Sequence, residues 1–185
     1  MIRIIDFLVA ILILVCLSPL IILISILILL NDGLPIIYKQ SRVGFNGRKF
    51  KIFKFRTMSR VVYKNEESRL SSFGKFLRKT SLDEIPQFIN VIKKDMSIVG
   101  PRPLPIKIEN KINKFARIKR RKIYPGITGL SQINFTGRNR KLSEKINLDL
   151  ILVDNFNLYN YFRILIRTPF VLIIRFLKNK SSIIK

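Results

Sequence analysis

The chain is 185 residues long and carries 35 Lys+Arg against 11 Asp+Glu, a net charge of +24 with no histidine. Without an imidazole, and with its one thiol, Cys16, inside an apolar run, proton transfer and metal binding fall chiefly to carboxylates. A single cysteine excludes an internal disulfide, and the charge points to nucleic acid, an anionic lipid surface or an anionic substrate as partner.

The length holds one modest domain and an appendage. The appendage is residues 7–30, which carry no charge and are interrupted only by Ser18, Pro19 and Ser25. Crossing a bilayer takes roughly 20 residues, and the run is too long for the core of a cleaved signal peptide, so it reads as a retained anchor. Pro19 removes a backbone donor near the middle, and Ser18 beside it can satisfy the freed carbonyl. On these residues two forms stay open: a kinked spanning helix, or a hairpin that dips into the membrane and returns. The Lys/Arg excess beyond the run favours a cytoplasmic C-terminal side.

Asn31–Pro35 is a turn cluster that ends the run. Ile36–Gln40 and Lys49–Arg56 then read as strands joined around Asn46-Gly47, a strong hairpin signal. The second strand alternates Lys and Phe, a pattern able to stack single-stranded nucleic acid; a strand with Phe50 packed and the lysines solvated is the preferred reading. Residues 59–72 read as a loop and Phe73–Lys79 as a short helix. Pro86–Lys93 reads as another helix, with Phe88, Ile89 and Ile92 on one side. Residues 100–105 hold three prolines and form a rigid loop. A basic helix is predicted over 106–122, with Ile108, Ile112 and Phe115 at helical spacing. Tyr124–Gly129 is a turn-rich connector, and Leu142–Val153 is helical. Leu158–Leu177 is largely apolar but contains Arg163, Arg167, Arg175 and Pro169. Three arginines argue against a second span and favour a helix in the membrane interface with its arginines toward headgroups.

The candidate site is the acidic step Ser81-Leu82-Asp83-Glu84, between Arg78-Lys79 and the Gly-Pro-Arg102-Pro turn. A capping box with Ser81 as N-cap would place Pro86 too deep in the helix. Starting the helix at Asp83 puts Pro86 in the first turn. Asp83 would then be held ionised by the helix N-terminus and by Arg78 and Lys79. An ionised carboxylate serves as a nucleophile toward phosphorus or a ligand for a hard cation. Arg102, restricted by its prolines, suits a phosphate clamp.

These residues fall in longer motifs: Arg3-Ile-Ile-Asp6, Ser18-Pro19, Gln40-Ser-Arg-Val-Gly44, Phe50–Met58, Leu77–Gln87, Asp95–Pro103 and Tyr124–Leu130. In this order they resemble the bacterial sugar transferases, the monotopic phosphoglycosyl transferases, in their short form with the catalytic domain alone. The resemblance implies an α+β, mostly helical fold. Its expected parts are a re-entrant membrane helix hairpin over 1–31 broken at Ser18-Pro19, a cytoplasmic catalytic domain with a short β-hairpin over 32–157, and an interfacial amphipathic segment over 158–185. It further implies transfer of a sugar 1-phosphate from a UDP-sugar to polyprenol phosphate at the cytoplasmic face of the bacterial inner membrane, beginning glycan assembly. Asp83 would be the nucleophile of a phosphosugar-aspartyl intermediate, Glu84 its dyad partner, Arg78 and Arg102 phosphate-binding residues. Mg²⁺ would be held by Asp83, Glu84 or both, and no nucleic acid is expected. The other reading is a membrane-tethered basic protein that binds anionic lipid or nucleic acid without catalysis. The chain departs from the family pattern in three ways: Lys94 stands for a glycine, Gln132–Arg138 is a lengthened stretch, and Leu152 and Tyr161 replace aromatic and acidic residues.

Overall fold

The computed structural model describes residues 1–58, 70–134 and 141–181. Most of the expected loop over 59–72 and the end of the Gln132–Arg138 stretch lie outside the described residues. Among the described residues the molecule is mostly helical with two small two-stranded sheets.

Two apolar helices begin the chain, α1 (Ile2–Cys16) and α2 (Ser18–Asp32), bent by 62° at Leu17. Pro19 has no N–H to donate to the Val15 carbonyl; the Ser18 hydroxyl donates to that carbonyl instead, at 2.8 Å. Among the described residues no single helix is long and apolar enough to cross a membrane, while the bent pair together has that length and composition. At 1.5 Å per residue each arm is about 22 Å long, and the bend puts its apex about 12 Å from the line joining the two ends.

Both ends of the pair are tied to the same domain. Near the start, Asp6 is buried and accepts from Ser97 Oγ (2.7 Å), the Ile98 N–H (2.9 Å) and Tyr161 Oη (2.7 Å). Arg3 donates to the Met96 carbonyl at 2.7 Å. At the far end, the Arg56 guanidinium donates to the carbonyls of Asp32 and Gly33. Ala10 packs into the main core with Ile52, Val91, Met96 and Val99, whereas Ile24 and Ile28 join a second core with Phe55, Leu77 and Ile85. The opposite faces stay uncovered: Leu8, Leu12, Val15, Ile22, Leu23 and Leu30 are exposed.

Strands β1 (Ile37–Val43) and β2 (Lys49–Phe55) form the expected antiparallel hairpin, with Tyr38 opposite Lys54 and Arg42 opposite Phe50. Its turn carries Asn46 at φ 50° and Gly47 at φ 80°, the left-handed pair that such a tight turn requires. Helix α3 (Ser72–Thr80) starts on a Ser71 cap whose Oγ accepts from the Gly74 N–H. A 3₁₀ turn, Leu82–Glu84, carries the acidic step, and α4 (Gln87–Ile92) follows it. Asn90 joins α4 to β2, accepting from the Phe53 N–H and donating to the Lys51 carbonyl.

Strands β3 (Ser97–Val99) and β4 (Gly126–Thr128) pair in parallel, Ser97 opposite Gly126 and Val99 opposite Thr128. Here the backbones of the two proline-rich motifs touch. A Cβ on Gly100 would lie 2.2 Å from the Tyr124 carbonyl oxygen, and one on Gly126 would lie 2.1 Å from the Gly100 nitrogen. The predicted helix over 106–122 is two pieces, α5 (Ile106–Glu109) and α6 (Lys114–Arg120). The break falls where the Asn113 side chain accepts from the Phe115 N–H, a cap that restarts the helix. The chain closes with α7 (Leu130–Ile133), α8 (Leu142–Asp154) and α9 (Leu158–Ser181), which contains Pro169. Leu152 and Tyr161, two of the departures from the family pattern, are both core residues.

Candidate active site

Asp83 and Glu84 sit on the 3₁₀ turn that Ser81 introduces. Ser81 has φ 60° and makes no side-chain cap; it ends α3 in the left-handed region instead of starting a helix. The capping box is therefore absent, and the helix expected to begin at Asp83 begins at Gln87. Asp83 lies on that 3₁₀ turn and not in the first turn of an α-helix. It is 8% exposed, and burial, the largest influence, pushes its pKa up to about 6 against the pull of Lys54 and, more weakly, Arg78 and Arg102.

Glu84 has the opposite fate. Burial would raise its pKa, but Arg102 and Lys54 override burial and hold it down at about 2. Lys54 Nζ lies 2.5 Å and Arg102 Nη2 3.0 Å from Glu84 Oε1, while Lys54 Nζ is 3.7 Å from Asp83 Oδ2. Adjacent carboxylates are thus split: Glu84 is permanently charged and Asp83 titrates near neutrality, an arrangement that assigns different roles to two chemically equal groups.

Lys54 was missed in the sequence because the alternation of β2 marked it as a solvated lysine. Its partner across the hairpin is Tyr38, and with side chains alternating along each strand Tyr38, Gln40, Arg42 and Lys54 line one cavity. Lys49 and Lys51 are exposed as expected. The Phe53 ring has Lys39 and Lys93 ammonium groups 5.7 and 5.5 Å from its centre, so it already has cationic partners.

Arg102 reaches the dyad as anticipated. Arg78 lines the same cavity, but its Nε donates to Thr57 Oγ1 at 2.9 Å. Lys79 turns away, its ammonium 5.7 Å from the Phe176 ring. The Arg102 loop is fixed from behind by a buried ion network. Arg120, 5% exposed, donates to the Arg102 carbonyl at 2.7 Å and pairs with Glu109 and Asp149, each at 3.0 Å. Arg121 adds a contact to Glu109 at 3.1 Å.

The cavity measures about 1230 Å³, larger than the usual small-ligand pocket of roughly 300–1,000 Å³. Its hairpin side is polar and cationic. Its apolar contributors include Ile13 and Leu17 at the bend of α1, and Leu165, Pro169, Val171 and Leu172 of α9. The bend at Leu17, just before Ser18-Pro19, therefore adjoins this cavity. Arg175 also faces in, donating to the Gln132 carbonyl at 2.6 Å; of the three arginines expected at headgroups, only Arg163 and Arg167 are exposed.

An acidic dyad thus sits in a cationic cavity that continues onto apolar residues of the bent helix pair and of α9. Comparison with known proteins gives the class: residues 1–175 match the model of the bacterial sugar transferases, and the chain belongs to that family. It is 35% identical over 91% of its length to a Klebsiella pneumoniae UDP-glucose:undecaprenyl-phosphate glucose-1-phosphate transferase, of which it covers 39%. It is 38% identical over 90% of its length to the sugar transferase EpsL of Bacillus subtilis, covering 84% of that protein. A Salmonella typhimurium undecaprenyl-phosphate galactose phosphotransferase is 34% identical over 94% of this chain, which covers 40% of it.

Proposed function

We propose that the protein transfers a sugar 1-phosphate from a UDP-sugar to polyprenol phosphate at the cytoplasmic face of the bacterial inner membrane. The observation that carries this reading is the single cavity that holds Asp83 among cations and continues onto an apolar wall. In the first step an Asp83 carboxylate oxygen attacks the β-phosphorus. The bond from that phosphorus to the bridging oxygen breaks, and UMP leaves. In the second step a phosphate oxygen of the lipid attacks the same phosphorus, the bond to Asp83 breaks, and a polyprenyl diphosphosugar forms. A covalent intermediate divides one transfer between two bulky anions into two displacements. Lys54 and Arg102, fixed on Glu84, and Arg78 supply preorganised positive charge for the phosphoryl oxygens.

The donor set suits Mg²⁺. Asp83 is a buried carboxylate with its nearest cation 3.7 Å away, and the described residues hold no cluster of three or more His, Cys, Asp or Glu. Mg²⁺ is characteristically held by one or two carboxylates plus substrate phosphates. Bound by Asp83, Glu84 or both, it would neutralise diphosphate charge.

The helix pair is read as a re-entrant hairpin. Support comes from its two ends, tied to one domain through Asp6 and through Arg56, and from an apex depth of about 12 Å, within one leaflet of a roughly 30 Å hydrocarbon core. Tags at Met1 and at the C-terminus should both resist external protease in intact cells; an accessible Met1 would mean a spanning helix.

The decisive assay is UMP release from UDP-glucose, UDP-galactose and UDP-N-acetylated amino sugars with undecaprenyl phosphate and Mg²⁺. Release that requires one donor, the lipid and Asp83 is expected. Turnover by Asp83→Ala, or none by folded wild type with any donor, would overturn the reading.

A further inference from the structure

The lipid acceptor must bring its phosphate to the phosphorus held on Asp83 while its tail stays in apolar surroundings. Every cation lining the cavity has a protein partner, Arg175 included through the Gln132 carbonyl, so position decides which of them meets the lipid phosphate. Lys54 and Arg102 are engaged with Glu84, Arg78 with Thr57, and Arg56 with the end of α2. Arg42, on β1, donates to Gln40 on the polar hairpin side, at 2.5 Å.

Arg175 is placed differently. It stands on α9 three and four residues beyond Leu172 and Val171 and seven beyond Thr168, so these side chains share one helix face. That face, with Leu165 and Pro169, lines the cavity. The opposite face, Phe162, Ile166, Phe170, Ile173 and Leu177, is exposed and apolar. Burial lowers the Arg175 pKa, and Arg102 and Glu84 act on it from across the cavity, so the guanidinium lies within electrostatic reach of the dyad.

We infer that Arg175 is the residue that binds the phosphate of the lipid acceptor. The inference rests on the transfer reaction proposed above and assigns the second half-reaction to a group on the apolar wall. An isoprenoid tail lying along Leu165, Pro169 and Leu172 would carry its phosphate to the guanidinium. The nucleotide donor, which has no tail, does not require that wall. Arg175 thus acts on the acceptor and leaves donor chemistry to the hairpin, Arg102 and the dyad.

The test separates the two half-reactions and the two parts of the lipid. Binding of undecaprenyl phosphate, undecaprenol and inorganic phosphate to the full chain in detergent micelles is compared for wild type, Arg175→Ala, Arg175→Lys and Arg167→Ala. The exposed Arg167 reports the effect of losing a charge on the same helix. Wild type is expected to prefer undecaprenyl phosphate over undecaprenol. Arg175→Ala should bind the phosphorylated lipid tenfold to a hundredfold more weakly, as loss of a charge-assisted contact implies, and should lose that preference. Arg175→Lys should recover most of it, and Arg167→Ala should match wild type. In parallel, exchange of labelled UMP into the UDP-sugar without lipid reports the first step and should be unchanged in Arg175→Ala. Unaltered undecaprenyl phosphate binding by Arg175→Ala, or a parallel loss of UMP exchange, would overturn the assignment. A wild type that binds the phosphorylated lipid through Arg175 yet exchanges no UMP would uphold it while refuting the proposed transfer chemistry.

Discussion

Replacing Asp83 with Asn should stabilise the fold while abolishing turnover. In the folded chain the carboxyl has a pKa of about 6, against 3.8 unperturbed. Between these values the folded state binds more protons than the unfolded one, so stability falls as pH rises through the window. At about 1.4 kcal/mol per pKa unit, ionised Asp83 costs about 3 kcal/mol at pH 7 and above. Asn carries no such cost, although its amide is still desolvated, so a gain of about 1–3 kcal/mol is expected. For a chain of this size that is a rise in Tm of roughly 2–12 °C. The assay is thermal unfolding of wild type and Asp83→Asn in the same detergent from pH 4 to 8.5, without divalent cation. The variant's advantage should be near zero at pH 4, grow to about pH 6 and level off. An equal or lower Tm at pH 8, or a difference that ignores pH, would refute the claim that the Asp83 carboxylate is held at an electrostatic cost.

Lys54→Met removes the cation that opposes the rise at Asp83, so the acid limb of kcat/KM should move up by about one pH unit. Beyond the pH-independent loss of its charge on the phosphoryl oxygens, the loss should be about fivefold greater at pH 6 than at pH 8.5; a loss of equal size at all pH values would contradict this. Arg120→Met leaves Glu109 and Asp149 without their buried partner and should destabilise by about 3–5 kcal/mol, measured by denaturant unfolding. Lys94→Gly acts the other way. Lys94 has φ 62°, a strained conformation that glycine adopts freely, so its Tm should rise by a few degrees, a gain of about 1 kcal/mol.

The Lys94 prediction shows how local signals were read. The glycine that the family pattern places there answers to a left-handed backbone, a demand visible only in dihedral angles. The hairpin was legible because Asn46-Gly47 and the flanking alternation are local. Helices α3, α8 and α9 were legible within a residue or two, save the C-terminus of α9, whereas α4 starts four residues after Asp83, where Pro86 had suggested its first turn. Strands β3 and β4 were not, since three residues each show no period and their pairing depends on glycines brought together from distant motifs. The dyad stood out because acidic residues are scarce in so basic a chain. Its electrostatics did not, because Lys54 comes from a strand 30 residues earlier and burial outweighs the nearest cations in sequence. Arg175 was legible as a charge in an apolar helix but not as one turned inward, which only the packing of α9 over the cavity decides.

The Asp6–Tyr161 hydrogen bond joins residues 155 apart in the chain. The buried Asp6 carboxylate thus depends on partners from a strand and a helix far along the chain, and closing so long a loop comes late and slowly in folding. Helices α1 and α9 hold each other: without Tyr161, Asp6 keeps Arg3, Ser97 and the Ile98 N–H, and α1 is less firmly seated on the domain.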